Sequence, residues 1–390
     1  MALALSSTFA PRLLPSRLPK VCLAVSADTA DELLDLAESM ARDNPFVELR
    51  LDYLKQPLGA LAKIRRFLET HQYVTAIATC RRADNGGKFK GSLASQLEIL
   101  SKASASGCQI VDVELQSALK TKPEALARLR RSAGLMVSFH DFRGTRNLEQ
   151  TLEKMLKTPA DFYKVVTTAT TLSDNVTMMK FLQIESDKYP LVGLCMGEQG
   201  IISRVLGVRA GSAFTFGAVS SQQKTAPGQV STRDLRGIYR IEQVDAATRM
   251  YGVAGDPIEH SLSPVIMNTA LRRENVNGVY VALHARTIKD LIQCVREIPV
   301  HGLSVTMPYK QAILQYLDNS DAHTAKIGAC NTVVRGQDGK LYGFNTDVAG
   351  VVRPLEQRLT IENAKVLVVG AGGAARAAVF GLKERGAEVW

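Results

Sequence analysis

A chain of 390 residues is too long for one ordinary domain, so two or three are expected. Hydrophobic residues make up 46% and charged residues 22%, the composition of a soluble globular protein, and the longest apolar runs fall well short of a bilayer span, which excludes a membrane-crossing helix. The net charge of +10 is spread without a Lys/Arg block or interleaved aromatics. That argues against nucleic acid and for a solvated basic surface, which also suits anionic small molecules.

Residues 1–19 hold two Arg, three Ser and no acid, a weak transit-peptide signal; a plain tail or a start codon assigned too early fits as well. The six cysteines, Cys22, Cys80, Cys108, Cys195, Cys294 and Cys330, lie far apart, with no CxxC and no metal-ligand spacing. They read as reduced thiols, no metal site is expected, and the compartment is cytosol-like, or a plastid if the leader is real.

From 20 to 243, eight strand-like runs follow one another: 20–27, 46–54, 73–81, 110–115, 134–142, 162–169, 190–197 and 214–219. Between most of them lie amphipathic stretches such as 28–42 and 147–158, with apolar residues at three- and four-residue spacing. Eight strand–helix units in this length predict a closed (β/α)8 barrel. Strand alternation puts Glu48, Arg50 and Asp52 on one face of the second run and Val47, Leu49, Leu51 and Tyr53 on the other. Asp112 and Glu114 share a face of the fourth, and Lys164 shares one with Phe162 and Val166 in the sixth. Barrel interiors are normally aliphatic, so inward charges near strand C-termini mark an active site.

Lys164 is the sharpest residue. Burial disfavours an ammonium and leaves more of the neutral amine, the form that attacks ketones; a lysine snorkelling from a strand end is an equal reading of Lys164 alone. His140, at the end of the preceding strand, tips the balance, because a neighbouring imidazole can shuttle protons. Its bland reading is a core histidine bonded to Asp141.

With these residues in place, 20–243 resembles the type I 3-dehydroquinate dehydratases in six stretches: VELRLDY (47–53), CRRADNGGKFKGS (80–92), VSFHDF (137–142), FYKVV (162–166), MGEQGIISR (196–204) and KTAPGQ (224–229). The resemblance implies a Schiff base between Lys164 and the substrate ketone, with His140 moving the protons. It implies that Glu48, Arg50 and Arg81 hold ring hydroxyls, that Arg204 pairs with the substrate carboxylate, and that Thr225 and Gln229 come from a loop closing over the ligand. Many family members carry Glu where this chain has Asn85, and often Ser where it has Thr225. A Schiff-base aldolase is the rival reading, disfavoured by Arg204 and by SFHDF.

A second architecture, a smaller α/β domain, begins near 249. Strands at 250–255, 278–285 and 301–308 alternate with helices at 263–275 and 287–298; a hairpin turns at Gln337-Asp338-Gly339, and a helix near 348–359 leads to a last strand–helix–strand segment. Ser261 and Ser263 surround a helix start, where they suit a carboxylate or simply cap the helix, Ser263 at the cap with Pro264 first in the helix. With Thr306, Lys310, Asn331 and Asp347 in order, 249–355 resembles the substrate domain of shikimate dehydrogenases. By that resemblance Ser261 and Ser263 grip the carboxylate, Lys310 and Asp347 pair across the reacting hydroxyl, and Thr306 and Asn331 complete the shell. Residues 356–390 read as part of a Rossmann domain: Gly370, Gly372 and Ala375 fit the GxGxxA fingerprint, and Gly373 and Ala374 lie within it, so NADP is the cofactor implied.

In tandem the halves resemble the bifunctional dehydratase–dehydrogenases of the shikimate pathway, taking 3-dehydroquinate to 3-dehydroshikimate and then shikimate; small molecules are the expected partners. Because the chain stops at Trp390, within the expected second strand of the nucleotide domain, the second reaction is expected to be impaired. The alternatives are a dehydratase fused to a shikimate-binding module without redox chemistry, or one part of a working bifunctional enzyme.

Overall fold

The computed structural model describes residues 18–220 and 222–390, in two compact units: residues up to Thr170 with Thr177–Ala246, and Ala247–Trp390 with Thr171–Val176. The leader read from composition lies outside the described residues, Leu18 and Pro19 apart. None of the described helices is long and apolar enough to cross a membrane.

The first unit carries eight strands: β1 (Val21–Val25), β2 (Phe46–Arg50), β3 (Thr75–Thr79), β4 (Ile110–Glu114), β5 (Gly134–His140), β6 (Phe162–Thr168), β7 (Leu191–Met196) and β8 (Thr215–Ala218). Its helices are α1 (Ala30–Ala41), α2 (Pro57–Thr70), α3 (Leu93–Ala105), α4 (Leu115–Lys120), α5 (Pro123–Ser132), α6 (Leu148–Met155), α7 (Ser173–Glu185), α8 (Ile201–Leu206) and α9 (Thr232–Gly237). Each expected strand is present. They pair in parallel in the order β7-β6-β5-β4-β3-β2-β1-β8. The sheet curls until the Ala213 amide, just before β8, donates to Leu191 O at the start of β7 (2.8 Å), the near-closed barrel that the alternation predicts.

Local chemistry explains the boundaries. Thr29 and Glu32 form a capping box at the start of α1, and Pro stands in the first turn of α2 and α5. The expected second run is too long by four residues. The strand ends at Arg50, and Leu51–Tyr53 make a 3-10 turn that folds Asp52 back onto Arg50. Inside the barrel, Cys22, Phe46, Ile77, Ile110, Met136, Val192 and Phe214 form a buried floor, with Phe46 and Phe214 edge-to-face at 4.9 Å. The inward residue above Phe46 is Glu48, above Ile110 is Asp112, and above Phe162 is Lys164. The charged layer therefore rests on an apolar plug, on the C-terminal side of it along the strands.

The second unit is built on β9 (Arg249–Gly255), α10 (Ser263–Arg273), β10 (Gly278–His284), α11 (Ile288–Glu297), β11 (Val300–Val305), α12 (Tyr309–Ala312), β12 (Asn319–Ser320), α13 (Ala322–Ile327), β13 (Thr332–Arg335), β14 (Leu341–Phe344) and α14 (Asp347–Glu356). The sheet order is β10-β9-β11-β13-β14-β12, with β9, β10 and β11 parallel and β13–β14 the expected hairpin. After α14 come β15 (Lys365–Val366), α15 (Gly373–Lys383) and β16 (Glu388–Val389). The strand expected from 365 to the glycines is two residues long, because its one partner is the equally short β16.

Candidate active site

One pocket at the C-terminal mouth of the barrel, about 530 Å³ including its open end, is lined by the eight barrel residues to which the resemblance gives roles, Glu48, Arg50, Arg81, His140, Lys164, Arg204, Thr225 and Gln229, while the inward acids Asp52, Asp112 and Glu114 lie outside its lining. Gly86, Phe142, Val166, Met196, Ala226 and Pro227, all within the quoted stretches, complete the wall with Leu194 and Phe216, which had no sequence signal beyond their apolarity.

Lys164 is 3% exposed. Its Nζ donates to Glu48 Oε1 (3.3 Å) and Asp112 Oδ2 (3.2 Å) and stands 3.9 Å from the centre of the Phe216 ring. The buried charge is thus compensated by two carboxylates, not simply expelled as the one-strand reading implies. Asp112 was visible as an inward acid, but its contact with Lys164 spans strands that are not neighbours in the sheet. Burial alone would raise the Glu48 carboxyl; Lys164, Arg50 and Arg81, with the Thr79 hydroxyl (2.8 Å), outweigh it and hold the group at about 2.

The other cations are fixed in turn. Arg50 donates twice to Asp52, at 2.9 and 2.7 Å, and Arg81 reaches Asp112 Oδ2 at 3.4 Å. Arg204 differs. It is 1% exposed, its NH2 donates to Pro227 O (3.0 Å), its Nε has no hydrogen-bond partner, and no carboxylate pairs with it among the described residues. Burial lowers its guanidinium to about 10. A buried cation without a counter-ion is the electrostatic signature of a site awaiting an anion.

His140 ends β5, half-buried, its ring stacked on Phe142 at 6.3 Å. It makes no hydrogen bond among the described residues; Asp141 instead accepts from the Arg143 amide (2.7 Å), so the bland pairing with Asp141 is absent. Burial first, then the positive charges of Arg81, Lys164 and Arg50, push its imidazole well below the usual range. A neutral imidazole is the form that accepts a proton. Asn85 lies in the 3-10 turn of Ala83–Asn85, half-buried, and its side-chain carboxamide makes no hydrogen bond among the described residues; Gly86, not Asn85, lines the pocket.

The loop after β8 is held against β7. Thr225 donates to Gln229 Oε1 from its amide (2.8 Å) and its hydroxyl (3.1 Å), while the Gly197 amide donates to Pro227 O (3.1 Å). Gly228 has φ +68°, and a Cβ there would stand 2.0 Å from Gly197 O, so only glycine lets the loop sit this close.

In the second unit, Lys310 and Asp347 meet at 2.5 Å, and Asn331 donates to Asp347 Oδ1 (2.8 Å) and Thr346 Oγ1 (2.9 Å). Thr306 follows β11 directly. Ser261 and Ser263 follow the adjacent β9, so both groups lie beyond the C-terminal ends of neighbouring strands. The cap position is held by Leu262, with no side-chain cap, and not by Ser263 as simple capping would have it; Ser261, one residue earlier, accepts from the Ser263 amide (3.3 Å), and Ser263 is itself the first helical residue, with Pro264 second. Gly370 has φ +130°, an added Cβ at Gly372 would meet nothing within 4 Å, and α15 begins at Gly373 without a side-chain cap. Free amides at an open helix start fit a pyrophosphate, flanked by Ala374 and Ala375. At Gly373 the constraint is close packing, since a Cβ there would lie 2.7 Å from Lys310 Cβ.

Comparison with known proteins follows this division. Residues 253–333 match the shikimate dehydrogenase substrate binding domain. The chain is 32% identical over 388 residues to the chloroplastic bifunctional 3-dehydroquinate dehydratase/shikimate dehydrogenase of Arabidopsis thaliana, covering 95% of this chain and 64% of that protein. It is 32% identical over 284 residues to the shikimate biosynthesis protein AroDE of Chlamydia pneumoniae, covering 72% and 57%. The chain therefore spans less than two thirds of the length of either. Its barrel is similar to the 3-dehydroquinate dehydratase structure from Geobacillus kaustophilus, with a TM-score of 0.53 and 25% identity, covering 58% of this chain and 91% of that one. Residues 21–246, more than half of the chain, match type I 3-dehydroquinase, and the chain belongs to that family.

Proposed function

We propose that the barrel dehydrates 3-dehydroquinate to 3-dehydroshikimate through a Schiff base at Lys164, a step of aromatic amino-acid biosynthesis. The observation that carries this reading is the pocket's charge pattern. Lys164 faces a neutral, unbonded His140, and Arg204 is the one lining cation with no anionic partner among the described residues. A substrate carboxylate on Arg204 would set the ligand between the guanidinium and the lysine. Attack of the Lys164 amine on the ketone gives an iminium, which acidifies the neighbouring C–H. His140 takes that proton and returns it to the departing hydroxyl, while Arg50, Arg81 and Glu48 hold the ring hydroxyls. Thr225 and Gln229, on the loop that bonds to the Arg204 guanidinium through Pro227, close over the ligand. The test is incubation with 3-dehydroquinate, reduction with borohydride, and peptide mapping. A stable adduct on Lys164 is expected; none, or one on another lysine, refutes the assignment.

For the second unit we infer a site for 3-dehydroshikimate or shikimate at Lys310, Asp347 and Asn331, with Thr306, Ser261 and Ser263. The short Lys310–Asp347 contact favours it, as a donor–acceptor pair able to pass a proton at a reacting hydroxyl. The cofactor, whose phosphates the amides at 370–375 would hold, would supply a hydride as NADPH and accept one as NADP. Isothermal titration with shikimate, alone and then with NADP, separates a dehydrogenase from a module that binds without redox chemistry.

A further inference from the structure

An ammonium cannot attack a carbonyl, because its lone pair carries a proton; a base beside the lysine must free it first. Two carboxylates are within hydrogen-bond distance of Lys164 Nζ, and they are not equivalent. Glu48 Oε1, at 3.3 Å, already accepts the Thr79 hydroxyl, and three cations make the group a weak base. Asp112 Oδ2, at 3.2 Å, accepts among the described residues only the longer contact from Arg81 besides, at 3.4 Å. The charged groups around Asp112 are Lys164 from β6, Arg81 beyond β3, Glu48 from β2 and Glu114 on its own strand, where Glu114 is turned to the Arg82 amide and Gln96. His140, on β5, has no hydrogen bond to it.

We propose that Asp112 is a further catalytic residue, the base of the Schiff-base step. It takes a proton from the Lys164 ammonium so that the nitrogen attacks the ketone carbon, and delivers it to the carbonyl oxygen. It then takes a second proton from the nitrogen and delivers that to the same oxygen, which leaves as water. The C=O double bond is replaced by a C=N double bond, two protons pass from nitrogen to oxygen, and ammonium plus ketone become iminium plus water, with Asp112 ionised at the end as at the start. The iminium occupies the place of the ammonium, so Asp112 and Glu48 balance its charge as well. This leaves His140 free for the later C–H step.

The inference rests on the Lys164 reading, and the test keeps the two apart. The full chain is mixed rapidly with 3-dehydroquinate, quenched with borohydride, and the Lys164 adduct followed by mass. Absence of adduct in the unaltered protein refutes the proposed function itself. With adduct present, Asp112→Asn is expected to form it about 10²-fold more slowly at neutral pH, the usual scale for a lost general base, and to recover as hydroxide rises. Asp112→Ala, prepared and assayed in formate, covers the case in which the asparagine variant does not fold: its adduct rate should follow formate concentration at constant circular dichroism. Adduct formation at the parent rate in Asp112→Asn, or a deficit that answers to neither hydroxide nor formate, overturns the proposal and leaves Asp112 a structural partner of Arg81.

Discussion

Asp52 holds two parts of the site with one carboxylate: it accepts both guanidinium bonds of Arg50, and its Oδ2 also accepts the Lys88 amide at 3.1 Å. The loop that carries Gly86 to the pocket is thereby tied to the arginine at the end of β2. Removing one partner of a buried ion pair strands the other charge. Asp52→Asn is expected to lose about 3 kcal/mol of stability in urea titration and to weaken substrate binding, although Asp52 itself does not line the pocket. Unchanged stability and an unchanged KM would show that the loop and Arg50 are held independently.

Arg204 should behave in the opposite way. Its charge is buried without a counter-ion, so Arg204→Met removes an electrostatic cost from the ligand-free protein. The unliganded protein is expected to melt no lower than the parent, while affinity for 3-dehydroquinate falls about 10–10²-fold, the scale of a lost charge-assisted hydrogen bond. A variant that melts lower and binds as before would place the carboxylate elsewhere.

His140→Ala is expected to form the Lys164 adduct but turn over about 10²–10⁴-fold more slowly. The parent's kcat/KM should stay flat as pH falls through about 6.5, the ordinary imidazole value, because burial and three cations keep the ring neutral to lower pH. The same depression makes stability fall with acid: below about 6.5 the unfolded chain binds a proton that the folded one refuses. An acid limb centred at the ordinary value would mean that His140 is not the base, or that it is solvated during turnover.

Much of this site was legible because strand alternation is strict. Once β6 is recognised, Lys164 must share a face with Phe162 and Val166, and that face is the interior. Alternation says which charges point inward and not which of them meet. The partners Glu48 and Asp112 lie 116 and 52 residues from Lys164, and the pairing depends on the curl of the sheet. Local competition hid the rest. Asp52 ends a strand by drawing the chain into a turn toward Arg50, and the choice between two serines at the start of α10 depends on which hydroxyl meets an amide.

Those serines support a last prediction. Ser261 Oγ accepts the Ser263 amide, whereas the Ser263 hydroxyl makes no hydrogen bond among the described residues. A neutral hydrogen bond contributes about 0.5–1.5 kcal/mol, and at 3.3 Å this bond, from one residue before the cap position, belongs to the lower end. Ser261→Ala should therefore lower stability slightly, and Ser263→Ala should leave it unchanged. For binding the order reverses if Ser263 is the hydroxyl free to meet a carboxylate at the positive end of the helix dipole. Shikimate affinity, read by isothermal titration of the full chain, is expected to fall about tenfold in Ser263→Ala, one lost hydrogen bond to a charged group, and less in Ser261→Ala. Equal losses would mean that both hydroxyls turn to the ligand and that the helix start re-forms on binding. Unchanged affinity in Ser263→Ala would leave the helix amides to hold the carboxylate without it.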